Sequence, residues 1–520
     1  MLNLQNIKAA KKKLQKCDTE LFSSIGDSFK HFINEIEIED FRHIHNLKIC
    51  FTHPVTIITG ANKIGKTSIL LLLACSHYDF KRYDSTKPDP VLRRHTWRDV
   101  LAFTSYENAN CDYEYRLKWR LANQKNDGEG KRNSVSQSWT GIGKSSSDGR
   151  ANSQIRNKEV RFIDLERLLP VRNFSKSLLR KISTSTQVRL NSDIEKAFSY
   201  ILDLPNVEIY KIGSHINKTA YLVKHSGQAY SSYNAASGEE ALINILVDIF
   251  TTPDGALILI DELEAGFHPN VQRKLADVIL YVSWMNKKQF IITTHSPSLL
   301  AAFPQKSRRY IDKQSNGSYS TINSISVNAA FSKMDSISYP LMQLYCEDEI
   351  AEFIISNVLV EINRTNKHFK RLINIIISGP ADQVKNDYVR HKFHYKQLRL
   401  KVGYCCIFDG DYKEDPLYSV YHNNPEEFTF FLYPYTAPEK FLVESFLFVN
   451  PHEELASAYK HTDHHALFNS MVDFGLATDE KQALNKCWDA FKTRAEYSKL
   501  FKDLKKFLIQ TTKHFSEKSD

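Results

Sequence analysis

Short apolar runs recur along the chain, and most are followed by a segment whose apolar residues have helical spacing. Residues 55–59 (VTIIT) predict a buried strand, and residues 66–75 (KTSILLLLAC) predict a helix. The runs ALILIDELE and KKQFIITTHSP are two further predicted strands with a helix between them. Alternation of this kind predicts an α/β fold.

The alternation is interrupted by the polar, turn-rich segment 313–324 and then starts again. LMQLYCE, LINIIISG, LRLKVGYCCIFDGD and FTFFLYP are predicted strands, with helices predicted between and after them. A second, smaller α/β domain with a mostly parallel sheet is therefore expected at residues 335–450. Apolar residues at helical spacing predict a C-terminal helical region at 451–520.

The first domain is expected to span residues 1–325 and to contain a large insertion at about 80–230. Within the insertion, residues 124–158 are rich in Gly, Ser, Asn and Lys. This composition predicts a flexible surface loop.

The bulk composition adds three constraints. A chain of 520 residues is too long for one hydrophobic core. The net charge of +9 is compatible with a nucleic-acid partner and also with a mildly basic surface. Eight cysteines without a C-x-x-C pair indicate reduced thiols, and no apolar segment is long enough to span a bilayer, so we expect a cytoplasmic protein without a membrane partner.

A phosphate-binding loop is predicted at residues 60–67, GANKIGKT, which match G-x-x-x-x-G-K-[ST] between a strand and a helix. The glycines let backbone N–H groups surround phosphates, Lys66 reaches the β and γ oxygens, and Thr67 places its hydroxyl on Mg²⁺. Two later strands end in acids and a histidine. Asp261 is expected in the Mg²⁺ shell, Glu262 as the residue that polarises the attacking water, and His295 near the γ-phosphate.

A further anion site is predicted where AASGEEALINIL begins a helix. The complete set of residues expected to bind ATP is Gly60, Asn62, Gly65, Lys66, Thr67, Ser68, Ser237, Gly238 and Asp261.

A second chemical site is predicted where CCIFDGD ends a buried strand. Asp409 and Asp411 would project into the crevice where α/β sheets bind ligands, and a divalent cation would relieve their mutual repulsion. Glu347 ends the first strand of the same domain and would join them if the two strands are neighbours. The segment HTDHH, 461–465, is interpreted as a solvated polar loop in preference to a metal site.

Taken together, the nucleotide motifs resemble an ABC-type ATPase head of the branch that includes DNA-repair and anti-phage ATPases. In that branch the SGEE segment of one subunit closes on the nucleotide of another, which implies a homodimer or higher oligomer. The segment Ala236–Glu239 lacks the Leu and the second Gly of the transporter form. The resemblance covers roughly residues 30–315.

The second domain resembles a Toprim domain, in which a Glu and an Asp-x-Asp hold Mg²⁺ for phosphodiester chemistry. The order of the two domains is similar to that of overcoming-lysogenization-defect (OLD) family nucleases. That resemblance implies a further metal ligand at Glu439 and a second ion, with Mn²⁺ as a substitute for Mg²⁺. The chain departs from the pattern at Asp348, where Gly is usual, and near Ala351, where an acid is expected.

The resemblance implies an ATP-hydrolysing, metal-dependent DNA endonuclease that acts in anti-phage defence, including retron systems, where a reverse transcriptase with its DNA/RNA product or another defence subunit would be a partner. Septu-type defence ATPases support an alternative, a sensor or scaffold whose degenerate Toprim domain controls a separate nuclease. A chromosome-organising ATPase ranks last, because the sequence has no long heptad coil between the halves of the head.

Overall fold

The computed structural model describes residues 4–15, 29–83, 92–122, 124–144, 154–164, 187–215, 218–232, 234–235, 237–313, 317–334, 340–366, 369–395, 402–422, 424 and 427–518. The chain divides into two compact units, Met1–Ala330 and Phe331–Asp520. We call them unit 1 and unit 2.

The strands of unit 1 carry the labels β1 to β17 in chain order. They are β1 His31–Phe41, β2 Ile44–Cys50, β3 Val55–Gly60, β4 His77–Tyr83, β5 Leu92–Arg94, β6 Tyr113–Leu121, β7 Gln124–Arg132, β8 Trp139–Gly141, β9 Ile155–Ile163, β10 Val188–Arg189, β11 Glu208–His215, β12 Lys218–His225, β13 Gln228–Ser231, β14 Leu257–Ile260, β15 Gln289–Thr293, β16 Arg308–Lys313 and β17 Tyr319–Asn323.

An eight-stranded sheet forms the centre of unit 1, in the order β17-β16-β3-β15-β14-β9-β4-β5. The six inner strands are parallel, and β17 and β5 are antiparallel edges. Every residue of β3, β14 and β15 is buried, which explains why these strands are apolar runs without alternation.

The helices in the described part of unit 1 are Leu4–Gln15, Lys66–Cys75, Trp97–Val100, Ser192–Leu202, Ser237–Thr251, Pro269–Asn286 and Pro297–Ala302, with a 3₁₀ turn at Gln305–Ser307. The helix Val327–Met334 spans the boundary with unit 2. Lys66–Cys75 is buried at every position except Thr67. This confirms the helix that the sequence predicts at residues 66–75.

Two smaller antiparallel sheets complete unit 1, in the orders β2-β1-β6-β7-β8 and β10-β11-β12-β13. The expectation of a flexible loop at 124–158 is wrong for β7, β8 and the start of β9. The Gly-rich composition of β7 instead reflects close packing, because a Cβ on Gly130 would lie 2.5 Å from the Tyr115 ring and one on Gly128 3.2 Å from the Trp119 ring. Residues 145–153 of the predicted loop lie outside the described residues.

The predicted polar break at 313–324 also contains structure. Residues 319–323 form β17, which pairs with β16 at the edge of the large sheet. The last four positions of this strand are half-buried or exposed, so its polar composition fits an edge strand as well as it fits a linker.

Unit 2 contains a four-stranded sheet in which all neighbours are parallel, in the order β19-β18-β20-β21. Its strands are β18 Met342–Cys346, β19 Ile373–Ile377, β20 Gly403–Phe408 and β21 Thr429–Phe431. Its helices are Glu349–Thr365, Ala381–His394, Pro416–His422, Pro438–Val449, Glu453–His461, Leu467–Asp473, Glu480–Phe491 and Ala495–Lys518, with 3₁₀ turns at Phe369–Leu372, Gly410–Glu414 and His464–Ala466.

The described residues after 450 are mostly helical, and they share one apolar core with the sheet. Leu500, Leu504 and Leu508 of the last helix are fully buried in this core. Phe515 packs so closely on β20 that a Cβ on Gly403 would lie 2.3 Å from its ring. None of the helices within the described ranges is long and apolar enough to cross a membrane.

Candidate functional site

The nucleotide motifs of unit 1 meet at one edge of its large sheet. Strands β14, β15 and β3 are neighbours and run parallel, so their carboxyl ends lie side by side. Asp261 and Glu262 follow β14, His295 follows β15, and the loop 60–67 follows β3. Residues separated by more than two hundred positions are thereby brought to a single crevice.

Two glycines of the loop are fixed by close neighbours. A Cβ on Gly60 would lie 2.7 Å from the carbonyl oxygen of Ile311, and one on Gly65 would lie 2.5 Å from the Cδ1 atom of Ile44. Gly65 also has a φ of +98°, which residues with a Cβ rarely adopt. Only glycine therefore allows the loop to turn into the helix here.

The Lys66 ammonium is buried inside the loop. Its Nζ donates to the carbonyl oxygens of Gly60 and Ala61, each at 3.0 Å. Burial lowers the pKa of Lys66 to about 8, against the opposing effect of Glu262 and Asp261. A cation held in this way is suited to receive a phosphate, whose charge would compensate for the lost hydration.

Thr67 and Asp261 are directly bonded. The Thr67 hydroxyl donates to Asp261 Oδ2 at 2.7 Å, and the Thr293 hydroxyl donates to Asp261 Oδ1 at 2.6 Å. The Glu262 backbone N–H donates to Thr293 Oγ1 at 2.9 Å. An oxygen pair from a hydroxyl and a carboxylate is the donor set that Mg²⁺ takes beside nucleotide phosphates, so the residues fit the ion that we expected from the sequence.

Two predicted residues at the loop have different surroundings. Asn62 is exposed at the turn, whereas Ser68 is buried in the first turn of the helix. The Arg42 guanidinium lies 3.5 Å from Ser68 Oγ. Arg42 was missed from the sequence because it belongs to the β1–β2 turn, and nothing in the local pattern links that turn to the phosphate loop.

His295 is positioned by an acid that the sequence analysis did not select. Its backbone N–H donates to Glu264 Oε1 at 2.5 Å. Burial and the nearby Lys66 charge lower the pKa of His295, which keeps the ring neutral. Glu264 lies three residues after Asp261 in the same acidic run, and this position in the sequence could have identified it.

The predicted signature residues begin the helix Ser237–Thr251. A Cβ on Gly238 would lie 3.0 Å from the carbonyl oxygen of Gly266, so the helix start packs closely on the turn that follows Glu262. Asp248 of the same helix accepts a hydrogen bond from Arg161 of β9 at 2.8 Å, and both side chains are buried. The ion pair fixes the helix to the central sheet.

The predicted acids of unit 2 also meet at strand ends. Strands β18 and β20 are neighbours, which places Glu347 beside Asp409. The Asp409 backbone N–H donates to Glu347 Oε1 at 3.0 Å. Asp409 Oδ1 is buried and has no hydrogen-bond partner among the described residues. A buried carboxylate oxygen left in this state is costly, so it points to a bound proton or cation.

Gly410 lets the chain turn between the two aspartates. A Cβ at this position would lie 2.4 Å from the Leu432 carbonyl oxygen and 2.5 Å from Tyr435 Cα. Asp411 therefore emerges on an exposed 3₁₀ turn directly beside the buried Asp409. The requirement for Gly in the D-G-D segment comes from this neighbouring loop.

Glu439 lies in the first turn of the helix Pro438–Val449 and is 1% exposed. Its Oε1 atom is 2.9 Å from His465 Nδ1. The HTDHH segment is largely solvent-exposed, as expected, but His465 also contacts the buried Glu439. The histidines are visible in the sequence, but Glu439 precedes His465 by 26 residues. Only the fold brings these two side chains together.

The pKa values of Glu347 and Asp409 are both raised by burial and by the neighbouring acids. Burial first, and then the charges of Asp411, Asp348 and Glu439, raise the pKa of Glu347 to about 7. Burial and the charge of Glu347 raise the pKa of Asp409 well above its usual range. Without a cation this cleft therefore retains protons, and a divalent cation would compete with them.

We predict that Mg²⁺ stabilises nucleotide-free protein more at about pH 8 than at about pH 6. A carboxyl whose pKa is raised in the folded state adds stability below its unfolded pKa and loses it as the pH rises to about 7. Mg²⁺ replaces the proton, so the rise in melting temperature that Mg²⁺ causes should increase over the same pH interval. The measurement is the melting temperature with Mg²⁺ and with chelator at both pH values.

The matched variants for this measurement are Asp409→Asn and Glu414→Gln, the second at an exposed acid of the same turn. The pH-dependent Mg²⁺ effect should be lost in Asp409→Asn and kept in Glu414→Gln. Equal Mg²⁺ shifts at both pH values would contradict the assignment.

Two departures from the expected metal pattern have structural explanations. Asp348 caps the helix Glu349–Thr365, where its Oδ1 accepts the N–H groups of Ile350 and Ala351 at 2.9 and 2.8 Å. Ala351 is fully buried in the apolar core. Asp348 Oδ1 therefore stabilises the helix start, and Ala351 offers no ligand for a second ion.

Among family models, residues 55–301 match the one described as "AAA domain, putative AbiEii toxin, Type IV TA system". This segment contains all the predicted nucleotide-site residues and ends before unit 2 begins. Residues 55–301 form a P-loop ATPase domain. The comparison with curated proteins gives no match.

Several solved structures are similar to 56% of this chain at low scores. One is the "SMC head domain from Thermotoga maritima", with 12% identity over 98% of that chain and a TM-score of 0.36. Another is the Smc head domain with an extended coiled coil bound to the C-terminal domain of ScpA derived from Pyrococcus furiosus, with 10% identity over 96% of that chain and a TM-score of 0.34. A third is the recombination mediator protein RecF-ATPrS in the RecFOR pathway, with 12% identity over 98% of that chain and a TM-score of 0.33. The nucleotide site is therefore assigned from its own contacts.

Proposed function

We propose that the protein is an ATP-hydrolysing DNA endonuclease in which unit 2 cuts DNA and the nucleotide state of unit 1 controls cutting. The observation that carries the proposal is the buried pair Glu347 and Asp409 at adjacent strand ends, with one Asp409 oxygen left without a partner in the described part of the chain. The OLD-family resemblance adds a Toprim identity and a role in cytoplasmic anti-phage defence.

In unit 1, each side chain of the crevice has a role in ATP hydrolysis. Lys66 contacts the β- and γ-phosphates, and Thr67 and Asp261 would hold Mg²⁺, which when bound neutralises phosphate charge. Glu262 accepts a proton from the attacking water or orients that water. His295, held by Glu264 through its backbone, presents its ring to the γ-phosphate.

The ATP site is proposed to need a second copy of the chain. Ser237 and Gly238 start a helix, and a helix N-terminus binds anions through its free N–H groups. In a homodimer or higher oligomer this end would reach the γ-phosphate held by the partner. ATP would then join two copies, and ADP would not.

In unit 2, Glu347, Asp409 and Asp411 would hold one Mg²⁺ or Mn²⁺ ion, and Glu439 would be a ligand of a second ion. The donor set fits, because Glu347, Asp409 and Asp411 are carboxylates at or just beyond the carboxyl ends of neighbouring parallel strands. A bound ion supplies Lewis-acid stabilisation of charge on a scissile phosphate. The buried Glu347 and Asp409 fix the position of that charge, and the exposed Asp411 faces the substrate side.

Two lysines beside this site support DNA as the substrate. Lys499 Nζ lies 3.9 Å from the ring centroid of Tyr433, and Lys413 Nζ lies 3.2 Å from that of Tyr435. Tyr435 in turn contacts the turn at Gly410. Positive charges held on aromatic faces next to an acidic metal site offer contacts for a phosphate backbone.

A second candidate function is a sensor or scaffold that controls a separate nuclease, or a reverse transcriptase with its DNA. The observation that favours it is the use of Asp348 as a helix cap and the burial of Ala351. A Toprim domain usually has a Gly at the position of Asp348 and an acid near the position of Ala351. The intact trio Glu347, Asp409 and Asp411 favours the nuclease.

The two functions are separated by incubating purified wild-type protein with linear, nicked and single-stranded DNA, with ATP and either Mg²⁺, Mn²⁺ or chelator. The nuclease predicts cutting that requires the cation. Intact DNA in every condition, together with normal ATP hydrolysis, would favour the sensor or scaffold.

A further inference from the structure

Three potential metal ligands of unit 2 converge outside the strand ends. They are Glu439, His464 and His465, and one ligand atom of each lies within 4.8 Å of the others. Glu439 Oε1 and His465 Nδ1 are 2.9 Å apart, and the two imidazole rings have centroids 4.0 Å apart. The group thus has two nitrogen donors and one carboxylate.

Local structure holds the two histidines in place. Asp463 begins the 3₁₀ turn His464–Ala466, and its Oδ1 accepts the His465 backbone N–H at 3.0 Å. The same carboxylate lies 3.5 Å from His464 Nδ1. The side chains of His464 and His465 remain 31% and 70% exposed, whereas that of Glu439 is 2% exposed. An ion from solvent can therefore reach a carboxylate that is otherwise enclosed.

We propose that Glu439, His464 and His465 form a binding site for a divalent transition-metal ion such as Zn²⁺, distinct in ligand type from the carboxylate site at Glu347 and Asp409. Imidazole nitrogens favour Zn²⁺ and its neighbours, whereas Mg²⁺ favours oxygen. Two histidines and a glutamate form a zinc ligand set that leaves a position open.

The distances are compatible with this ion. Zn–N and Zn–O bonds of about 2.1 Å place tetrahedral ligand atoms about 3.4 Å apart. The distance of 2.9 Å between Glu439 Oε1 and His465 Nδ1 is shorter than this value. One ligand atom of His464 lies within 4.8 Å of a ligand atom of each of the other two residues. Rotation of the exposed His464 side chain would close the set without a change in the backbone.

The site also bears on the proposed nuclease, and this consequence depends on that function. Glu439 contributes to the raised pKa of both Glu347 and Asp409, so it lies near them. Because Ala351 has no carboxylate, the second ion of a two-metal centre would be held by Glu439 and the histidines. Ion binding itself does not depend on nuclease activity.

The test is Zn²⁺ affinity, measured on nucleotide-free protein by competition with a chromophoric chelator in excess Mg²⁺. We expect His464→Ala and His465→Ala each to weaken binding by at least about tenfold, as even indirect ligand changes do. His461→Ala, at an exposed position of the same segment, is the matched control and should bind as wild type. Asp409→Asn should also retain the site, which separates this result from a failure of the nuclease proposal.

A second measurement does not require variants. X-ray absorption of wild-type protein with about one equivalent of Zn²⁺ should show imidazole scattering. A coordination shell without imidazole, or Zn²⁺ affinity unchanged in both histidine variants, overturns the proposal. Circular dichroism of the variants checks that they fold, which the exposure of both histidines leads us to expect.

Discussion

Asp409→Ala should lose metal-dependent DNA cleavage by more than about a hundredfold, because indirect ligand changes alone cost up to that much. The variant removes a carboxylate with a buried oxygen that has no partner among the described residues. It also removes repulsion with Glu347, so the folded state should not be weakened by the loss of charge. The measurement is the initial rate of DNA cleavage in Mg²⁺ and in Mn²⁺.

Two controls make this result specific to the ligand. Glu414→Gln changes an exposed acid on the same 3₁₀ turn and should cut as wild type. ATP hydrolysis should continue in Asp409→Ala, because the P-loop site belongs to unit 1. Normal cutting by Asp409→Ala would show that the metal site is wrongly assigned.

Glu262→Gln should bind ATP normally but hydrolyse it about a hundred to ten thousand times more slowly, the usual contribution of a general base. The side chain follows β14 at the sheet edge that also carries Lys66 and Asp261. Glutamine keeps the shape but cannot accept the proton. Because hydrolysis no longer separates the subunits, the variant should also accumulate as an ATP-bound dimer.

ATP turnover, nucleotide affinity and oligomeric state are measured on the same preparation. Asp127→Asn, an exposed acid on β7 of the same unit, serves as the matched control and should behave as wild type. Unchanged turnover in Glu262→Gln would remove Glu262 from the mechanism, even if ATP binding is normal.

The sequence predicts best what is encoded locally. The loop 60–67 lies between β3 and its helix as expected, since the spacing of its glycines and Lys66 is a local pattern in the sequence. The predicted strands of unit 2 are also present. The convergence of Glu347 and Asp409 depended on the assumption that two strands are neighbours, and their pairing confirms it.

What the sequence could not predict arises from contacts between distant segments. The glycines of β7 indicate flexibility by composition, yet they make room for Tyr115 and Trp119. His465 is an ordinary loop residue until the fold brings Glu439 within 2.9 Å. Composition records the residue types but not the neighbours that give them a role.

Control of cutting by nucleotide requires a conformational link, because the ATP residues and the acids belong to different compact units. A ligand shifts such an equilibrium only by its difference in affinity for the two states. Contact between the start of the helix Ser237–Thr251 and a γ-phosphate would provide that difference, since ADP lacks the group. A coupling of ~2–3 kcal/mol would change cutting by roughly 30- to 150-fold.

The most direct test of this account is the rate of DNA cleavage with no nucleotide, ADP, ATP and a non-hydrolysable ATP analogue, measured on wild type and Ser237→Arg. We predict that wild type cuts at rates differing by at least about tenfold between ADP and the analogue, and that Ser237→Arg shows no such difference. Equal cleavage by wild type in all four conditions would contradict the account and leave two sites joined by the chain but not coupled.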